Sequence, residues 1–194
     1  MNTCDLCDRF EAEVRVLELA LRDYGGRAAF SGRVSTVKAL EDNSLVRAAV
    51  AEPGDGRVLV IDGGGSLRRA MLGDMLAEQA VANGWAGVVV HGAIRDSQAI
   101  AALDLGVKAL GTCPRKTDKR GQGLRDVELA FGGLVIAPGQ WLADLCDIQA
   151  GKIGRRHQFG TQPIDLVPIS KGHQRREGRR RPRCRGRQHH PGHR

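Results

Sequence analysis

A chain of 194 residues has room for one domain of ordinary size and a small appendage. Hydrophobic residues make up 41% and aromatics only 4%, so a packed soluble core of Val, Leu, Ala and Ile is expected. The net charge of +8 does not describe the body: residues 152–194 carry 13 Lys and Arg against Asp165 and Glu177, leaving 17 bases and 20 acids in 1–151. Specific nucleic-acid binding is therefore not expected of the folded part. No apolar run approaches the roughly 20 residues that span a bilayer, and the N-terminus lacks the basic and apolar regions of a signal peptide. Cys4, Cys7, Cys113, Cys146 and Cys184 are odd in number and scattered. That argues against a disulfide framework and for a reducing, cytoplasmic setting.

Leu6, Phe10, Val14, Leu17 and Leu21 recur at helical spacing, which predicts an amphipathic helix ended by Gly25-Gly26. A strand is expected over Ser31–Leu40, then a short helix through Ala51 with Ser44 as its N-cap, then a turn at Pro53-Gly54-Asp55-Gly56. Val58–Ile61 is a continuous apolar run of the kind covered on both faces. A helical pattern with Leu72, Met75, Leu76 and Ala80 follows and stops at Asn83-Gly84. Val88–Val90 is a second buried strand, so strand, helix and strand form a βαβ unit with a parallel pair. The remaining expectations are a helix near Gln98–Leu103, a strand at Val107–Leu110, a basic loop over 112–125, a β pair Val127–Phe131 and Leu134–Ala137, and a turn at Pro138-Gly139-Gln140. The fold class is α/β, with a domain over 1–150. Residues 151–194 form a basic tail too poor in apolar side chains to offset chain entropy, hence a disordered one.

In open α/β sheets, ligands collect where parallel strands end and helices begin. Two segments meet that condition. Gly73-Asp74-Met75-Leu76 lies at the start of a helical turn, whose amides favour an anion. Arg95-Asp96 follows the buried strand Val88–Val90. A guanidinium grips a carboxylate with two parallel hydrogen bonds, and an adjacent carboxylate holds a hard cation through oxygen. Spacing alone leaves a surface ion pair between Arg95 and Asp96 as the commoner alternative.

The stretch from Asp62-Gly-Gly-Gly through Gly73-Asp-Met-Leu-Ala-Glu, followed by Asn83-Gly-Trp-Ala-Gly-Val-Val-Val-His-Gly-Ala-Ile-Arg-Asp, resembles the signature of the RraA-like family. Similar texture at Ser31-Gly-Arg-Val-Ser-Thr-Val-Lys, Asp42-Asn-Ser-Leu-Val, Ala109-Leu-Gly-Thr and Pro138-Gly-Gln-Trp extends the resemblance over roughly 4–143. The family includes metal-dependent class II aldolases that cleave 4-hydroxy-4-methyl-2-oxoglutarate to pyruvate and decarboxylate oxaloacetate. It also includes regulators that inhibit ribonuclease E. The resemblance implies a swivelling-type β/β/α domain, a homotrimer with sites between subunits, and Mg²⁺ or Mn²⁺ as cofactor. It implies substrate contacts from Gly73, Asp74, Met75 and Leu76, largely through backbone amides. Arg95 would bind the 2-oxo acid and Asp96 would ligate the metal, the two together stabilising the pyruvate enolate. Asp74 would order a metal-bound water or relay a proton.

The sequence departs from the family pattern at its C-terminal end. After Trp141-Leu-Ala-Asp the expected closing strand of Val and Ile gives way to an Arg-rich stretch that resembles an out-of-frame reading of GC-rich coding sequence. A frameshift near Leu142–Leu145 is the expectation, and resequencing the gene tests it. Cys4 and Cys7 have zinc-like spacing but no second pair. His91 reads as a hydrogen-bonded histidine rather than an acid–base group. Gly63–Gly65 lacks both the P-loop Lys-Ser/Thr and the GxGxxG spacing, so it reads as a tight turn, and an older label of the family as a menaquinone methyltransferase loses its footing. Arg115, Lys116, Lys119, Arg120 and Arg125 read as solvated charges that steer an anion at most. His189, His190 and His193 form a tract able to bind metal adventitiously.

Overall fold

The computed structural model describes residues 3–144 and the strand 162–164. Of the tail expected to be disordered, 151–194, only Gln162–Ile164 is described, and it is a strand paired with Leu17–Leu21; the rest of that tail, its histidines, Cys146, Cys184 and residue 145 of the expected frameshift lie outside the described residues. The elements are α1 (Thr3–Arg9), β1 (Leu17–Asp23), β2 (Phe30–Lys38), α2 (Ser44–Val50), β3 (Val58–Asp62), β4 (Ala70–Leu72), α3 (Asp74–Ala82), β5 (Gly87–Ile94), α4 (Ser97–Ile100), β6 (Gly106–Thr112), β7 (Leu124–Arg125), β8 (Leu129–Phe131), β9 (Leu134–Ile136), β10 (Trp141–Asp144) and β11 (Gln162–Ile164). The main sheet runs β10-β2-β3-β5-β6-β1-β11, with β4 beside β5 and β7 beside β2. Its centre, β2-β3-β5-β6, is parallel; β10 pairs antiparallel with β2, β1 with β6, and β11 with β1.

Alternate side chains of the central strands feed two cores, as the period of two requires. Leu59, Ile61, Val88 and Val90 face α2, α3 and α4 with Ala49, Ala77, Ala80 and Ile100. Val58, Val60 and Val89 face the β8–β9 hairpin with Leu129, Phe131, Leu17 and Leu21. Hairpin, sheet and helices are the three layers of the expected β/β/α arrangement. β3, α3 and β5 form the parallel βαβ unit, in register from Val58↔Gly87 to Asp62↔His91. Among the described residues, no helix is long and apolar enough to cross a membrane.

Four local expectations are corrected. The first helix ends at Arg9, and Leu17 and Leu21 sit on β1. Leu17-Glu18-Leu19-Ala20-Leu21 also alternates, and pairing with β6 and the hairpin face rewards the strand. Leu72 belongs to β4, and α3 buries only Ala77 and Ala80, leaving Met75 72% exposed. Ser44 is the first residue of α2 rather than its cap; its amide is received by the Asp42 carboxylate at 2.8 Å. β5 runs four residues past Val90, so Arg95 follows the strand end directly.

Two packing devices hold the end of the sheet opposite the ligand side. Phe30 lies on bare backbone: a Cβ at the register partners Gly87 and Gly106 would fall 2.3 and 2.0 Å from its ring carbons. With the ring clamped from both strands, Gly106→Ala is expected to cost about 1–3 kcal/mol by overpacking, read as a lower urea midpoint. Lys108, 5% exposed on β6, reaches Asp23 of β1 at 2.5 Å and Asp144 of β10 at 2.9 Å. Burial would depress its ammonium, but the two carboxylates outweigh that and raise its pKa.

Candidate functional site

The site forms where β4 and β5 end and α3 begins. The Arg95 amide donates to Leu72 O at 2.9 Å, so the first residue beyond β5 is pinned to the last residue of β4. Gly73 caps α3 in extended conformation, and Asp74 opens its first turn. Asp96 is left-handed, with φ 53° and ψ 37°. That conformation is costly for most residues and easier for Asp; it brings the carboxylate alongside Gly73. The absent side chain of Gly73 is what leaves room, since a Cβ there would stand 2.9 Å from Arg95 Nε and 3.0 Å from Asp96 Oδ2.

Arg95 and Asp96 are thus brought together with the Gly73 turn. Arg95 Nε meets Asp96 Oδ2 at 3.0 Å, with both side chains about one-third exposed, 35% and 37%. This is an ion pair, as the alternative reading had it, but it uses one nitrogen and one oxygen. Both Nη atoms of the guanidinium and Asp96 Oδ1 have no protein partner among the described residues. The Asp74 amide faces Asp96 Oδ2 at 3.5 Å, and the Met75 amide donates to Asp74 Oδ1 at 2.7 Å. At least two helix-start amides therefore serve protein carboxylates, and the open hydrogen-bonding capacity of the site lies in side chains.

Beside this pair lies a cavity of about 160 Å³ lined by Gly73, Asp74, Met75, Leu76 and Arg95 on one side, with Asp96 adjoining it through Arg95. Asn43, Arg47, Lys116, Thr117 and Lys119 line the other. The far wall is built by a buried carboxylate that spacing did not single out. Asp42 is fully enclosed and accepts the amides of Ser44 at 2.8 Å, Arg120 at 2.8 Å and Gln122 at 3.0 Å. Thr117 donates to Asn43 Oδ1 at 2.6 Å, and the Gly121 amide to Ser44 Oγ at 3.2 Å. The tripeptide 42–44 therefore grips the basic loop and sets Lys116 and Lys119 at the cavity. The signal available in the sequence was a polar Asp-Asn-Ser at a helix start; nothing local showed that its partners lay some 75–80 residues on.

Burial alone would raise the Asp42 carboxyl, but the Ser44 hydroxyl and the three amides hold it well below the usual carboxylate range. Its stabilisation is complete above the unfolded value of about 3.9 and is lost as pH falls towards the folded value. Asp42→Ala is expected to cost about 3 kcal/mol near neutrality by orphaning three amides. The gap from the unmodified chain should narrow below about pH 4, as read from urea midpoints between pH 2 and 7.

The signals set aside in the sequence have structural roles. His91 Nδ1 lies 2.9 Å from Asp62 Oδ1, its ring stacks on Phe131 at 4.5 Å, and it does not line the cavity. In the glycine turn, the Gly63 and Gly65 amides donate to His91 O and the Gly64 amide to Asp62 Oδ1. Arg125 forms a two-nitrogen pair with Glu52 at 2.7 and 2.9 Å. Among the described residues no three His, Cys, Asp or Glu side chains converge to hold a metal, Cys4 and Cys7 included. A cation here would be bound by Asp96 Oδ1, with Asp74 beside it and water in the remaining positions. That oxygen-only, water-rich donor set fits Mg²⁺ or Mn²⁺ and suits neither zinc nor a closed structural site.

Fold and cavity together define a small α/β protein with a basic cavity beyond the ends of parallel strands. The chain belongs to the RraA-like family, whose model, described as Aldolase/RraA, matches residues 3–151. It is 58% identical over 140 residues to an Alkalilimnicola ehrlichii protein named "Putative 4-hydroxy-4-methyl-2-oxoglutarate aldolase", covering 72% of this chain and 87% of that one. The RNA-processing inhibitor RraA from Thermus thermophilis superposes with a TM-score of 0.75 at 39% identity, over 90% of this chain and 97% of that one. A Geobacillus kaustophilus structure named S-adenosylmethionine: 2-dimethylmenaquinone methyltransferase gives a TM-score of 0.71 at 52% identity, over 74% and 89%.

Proposed function

We propose that this chain is a divalent-metal-dependent aldolase that cleaves 4-hydroxy-4-methyl-2-oxoglutarate to pyruvate and also decarboxylates oxaloacetate. The observation that carries this reading is the contact of Arg95 with Asp96 against the Gly73 turn, with the guanidinium Nη atoms and one carboxylate oxygen left open. Aldolase names among relatives as similar as 58% point the same way.

Arg95 receives the carboxylate and carbonyl side of the 2-oxo acid through its Nη atoms and holds the chain with its C3–C4 bond across the cavity. The chemistry a hard cation supplies when held by Asp96 is Lewis acidity beside the 2-oxo group. As the C4 hydroxyl loses its proton, the C3–C4 bond breaks and its electron pair moves towards the C2 oxygen as the pyruvate enolate. Arg95 stabilises that charge without reorganising. The proton then returns at C3, and Asp74 is the carboxylate placed to relay it. The α3 start from Gly73 to Leu76 closes that side of the substrate. A homotrimer in the cytoplasm, with sites between subunits, belongs to the same reading.

The second reading is a non-catalytic regulator that binds ribonuclease E, favoured by the likeness to the Thermus inhibitor over nearly its whole length. Methyl transfer draws no support from the Gly63–Gly65 turn, whose amides are all taken by Asp62 and His91. Pyruvate release from 4-hydroxy-4-methyl-2-oxoglutarate and from oxaloacetate, followed with the purified chain and Mg²⁺, tests the proposal. Turnover of both supports it. No turnover, together with inhibition of ribonuclease E, sinks it in favour of the regulator.

A further inference from the structure

Two thioethers in one stretch of chain stand in opposite surroundings. Met71, on β4, is 1% exposed and packs in the core. Met75, in the first turn of α3, is 72% exposed, more than any other large apolar side chain among the described residues. The helix turns Ala77 and Ala80 to the core, which leaves Met75 on its open side. There it lines the cavity together with Arg47, Arg95, Lys116 and Lys119. Both Nη atoms of Arg95 lack a protein partner among the described residues, and Arg47, Lys116 and Lys119 have no ion pair among them. A thioether is a weak acceptor and gives those donors little. A sulfoxide carries a strongly polar oxygen, and the methionine side chain has three rotatable bonds with which to deliver it.

We infer that Met75 is an oxidation site whose sulfoxide turns into the cavity, takes the open guanidinium donors of Arg95 and closes the site to anionic ligands until it is reduced. Sulfur attacks one oxygen of a peroxide, the S–O bond forms as the O–O bond breaks, and the rest of the peroxide leaves as water or an alcohol. Sulfur loses two electrons and the peroxide gains them. A thiol-dependent sulfoxide reductase reverses the change: two thiols become a disulfide and the oxygen leaves as water. Burial protects Met71 from the same oxidant, so the modification is selective. The device regulates the site already described, and its effect on ligands rests on the reading of that site as one for 2-oxo acids.

The full chain and Met75→Leu are treated with limiting hydrogen peroxide and then with dithiothreitol, which returns cysteine sulfenates and disulfides and leaves the sulfoxide in place. Peptide masses are expected to show one added oxygen on Met75 and none on Met71. Calorimetry with pyruvate and Mg²⁺ is expected to show binding about 10-fold weaker after oxidation, the scale of one hydrogen bond to a charged group that the ligand must first displace. Methionine sulfoxide reductase should restore it, and Met75→Leu should stay within about 2-fold of its own untreated sample. With methyl-¹³C methionine, the sulfoxide methyl resonance is expected to shift between the unmodified chain and Arg95→Gln, a readout that needs neither ligand nor turnover. Equal oxidation of Met71, unchanged pyruvate affinity or turnover after complete oxidation of Met75, equal loss in Met75→Leu, or a methyl resonance indifferent to Arg95→Gln overturns the inference. A chain that binds no pyruvate before oxidation sinks the 2-oxo acid reading instead, and the methyl resonance then decides the contact with Arg95 by itself.

Discussion

Alanine at Arg95 is expected to lower kcat/KM for pyruvate release by about 1,000-fold, the scale of removing a preorganised group that faces developing charge. The Nε contact with Asp96 leaves the two Nη atoms open, so on the aldolase reading the variant would lose both the grip on the 2-oxo acid and the cation beside the enolate. Arg95→Lys keeps a charge but not the planar fork and is expected to recover about tenfold of that loss, chiefly in kcat. Asp96→Ala and a chelator should each reduce turnover to background, and added Mg²⁺ or Mn²⁺ should restore activity after chelation but not in the variant. Initial rates with both substrates decide it. Near-normal turnover by Arg95→Ala would end the enolate argument, and full turnover under chelation would end the metal argument.

Gly73→Ala is expected to cost about 100-fold in kcat/KM while leaving the urea midpoint almost unmoved, because a displacement near 1 Å at a reacting centre is that damaging. Gly73 has φ −134° and ψ 179°, an extended backbone open to any residue, so the substitution strains no torsion. Its methyl would instead press on Arg95 Nε and Asp96 Oδ2, at 2.9 and 3.0 Å. The Asp96 oxygen is a side-chain end and Arg95 Nε lies in a flexible side chain, so both can move aside, which spares the fold and spoils the alignment. Kinetics and unfolding measured on one preparation separate the two effects. Undiminished activity would mean that close approach to Gly73 has no part in the chemistry.

The central strands were legible because parallel burial leaves a continuous apolar run, as at Val58–Ile61 and Val88–Val90, and a helix between two such runs permits few topologies. Placement of Arg95-Asp96 followed from the same rule. The first helix misled because Leu17 and Leu21, four apart, satisfy both a helical stripe and a strand, and only long-range pairing chooses: theirs with β11, and that of Arg22 and Asp23 with β6. Leu72 misled for a similar reason: three residues of β4 are too few to show a period, and their partners are on β5. Half of the candidate site was invisible for want of locality. The basic loop looked solvated because Asp42, which orders it, speaks to Arg120 and Gln122 across a large stretch of chain.

The wall carrying Lys116 and Lys119 is held from two sides, by the Asp42–Ser44 tripeptide and by the strand β4 and the end of β5, which also carry Gly73, Arg95 and Asp96. Replacement of residues 113–123 is therefore expected to reach Arg95 as well, because Cys113 and Arg115 bind the same strands whose ends pin it. A segment grafted there would have to keep the amide at 113 and the carbonyl at 115 in place to leave the floor of the cavity as it is.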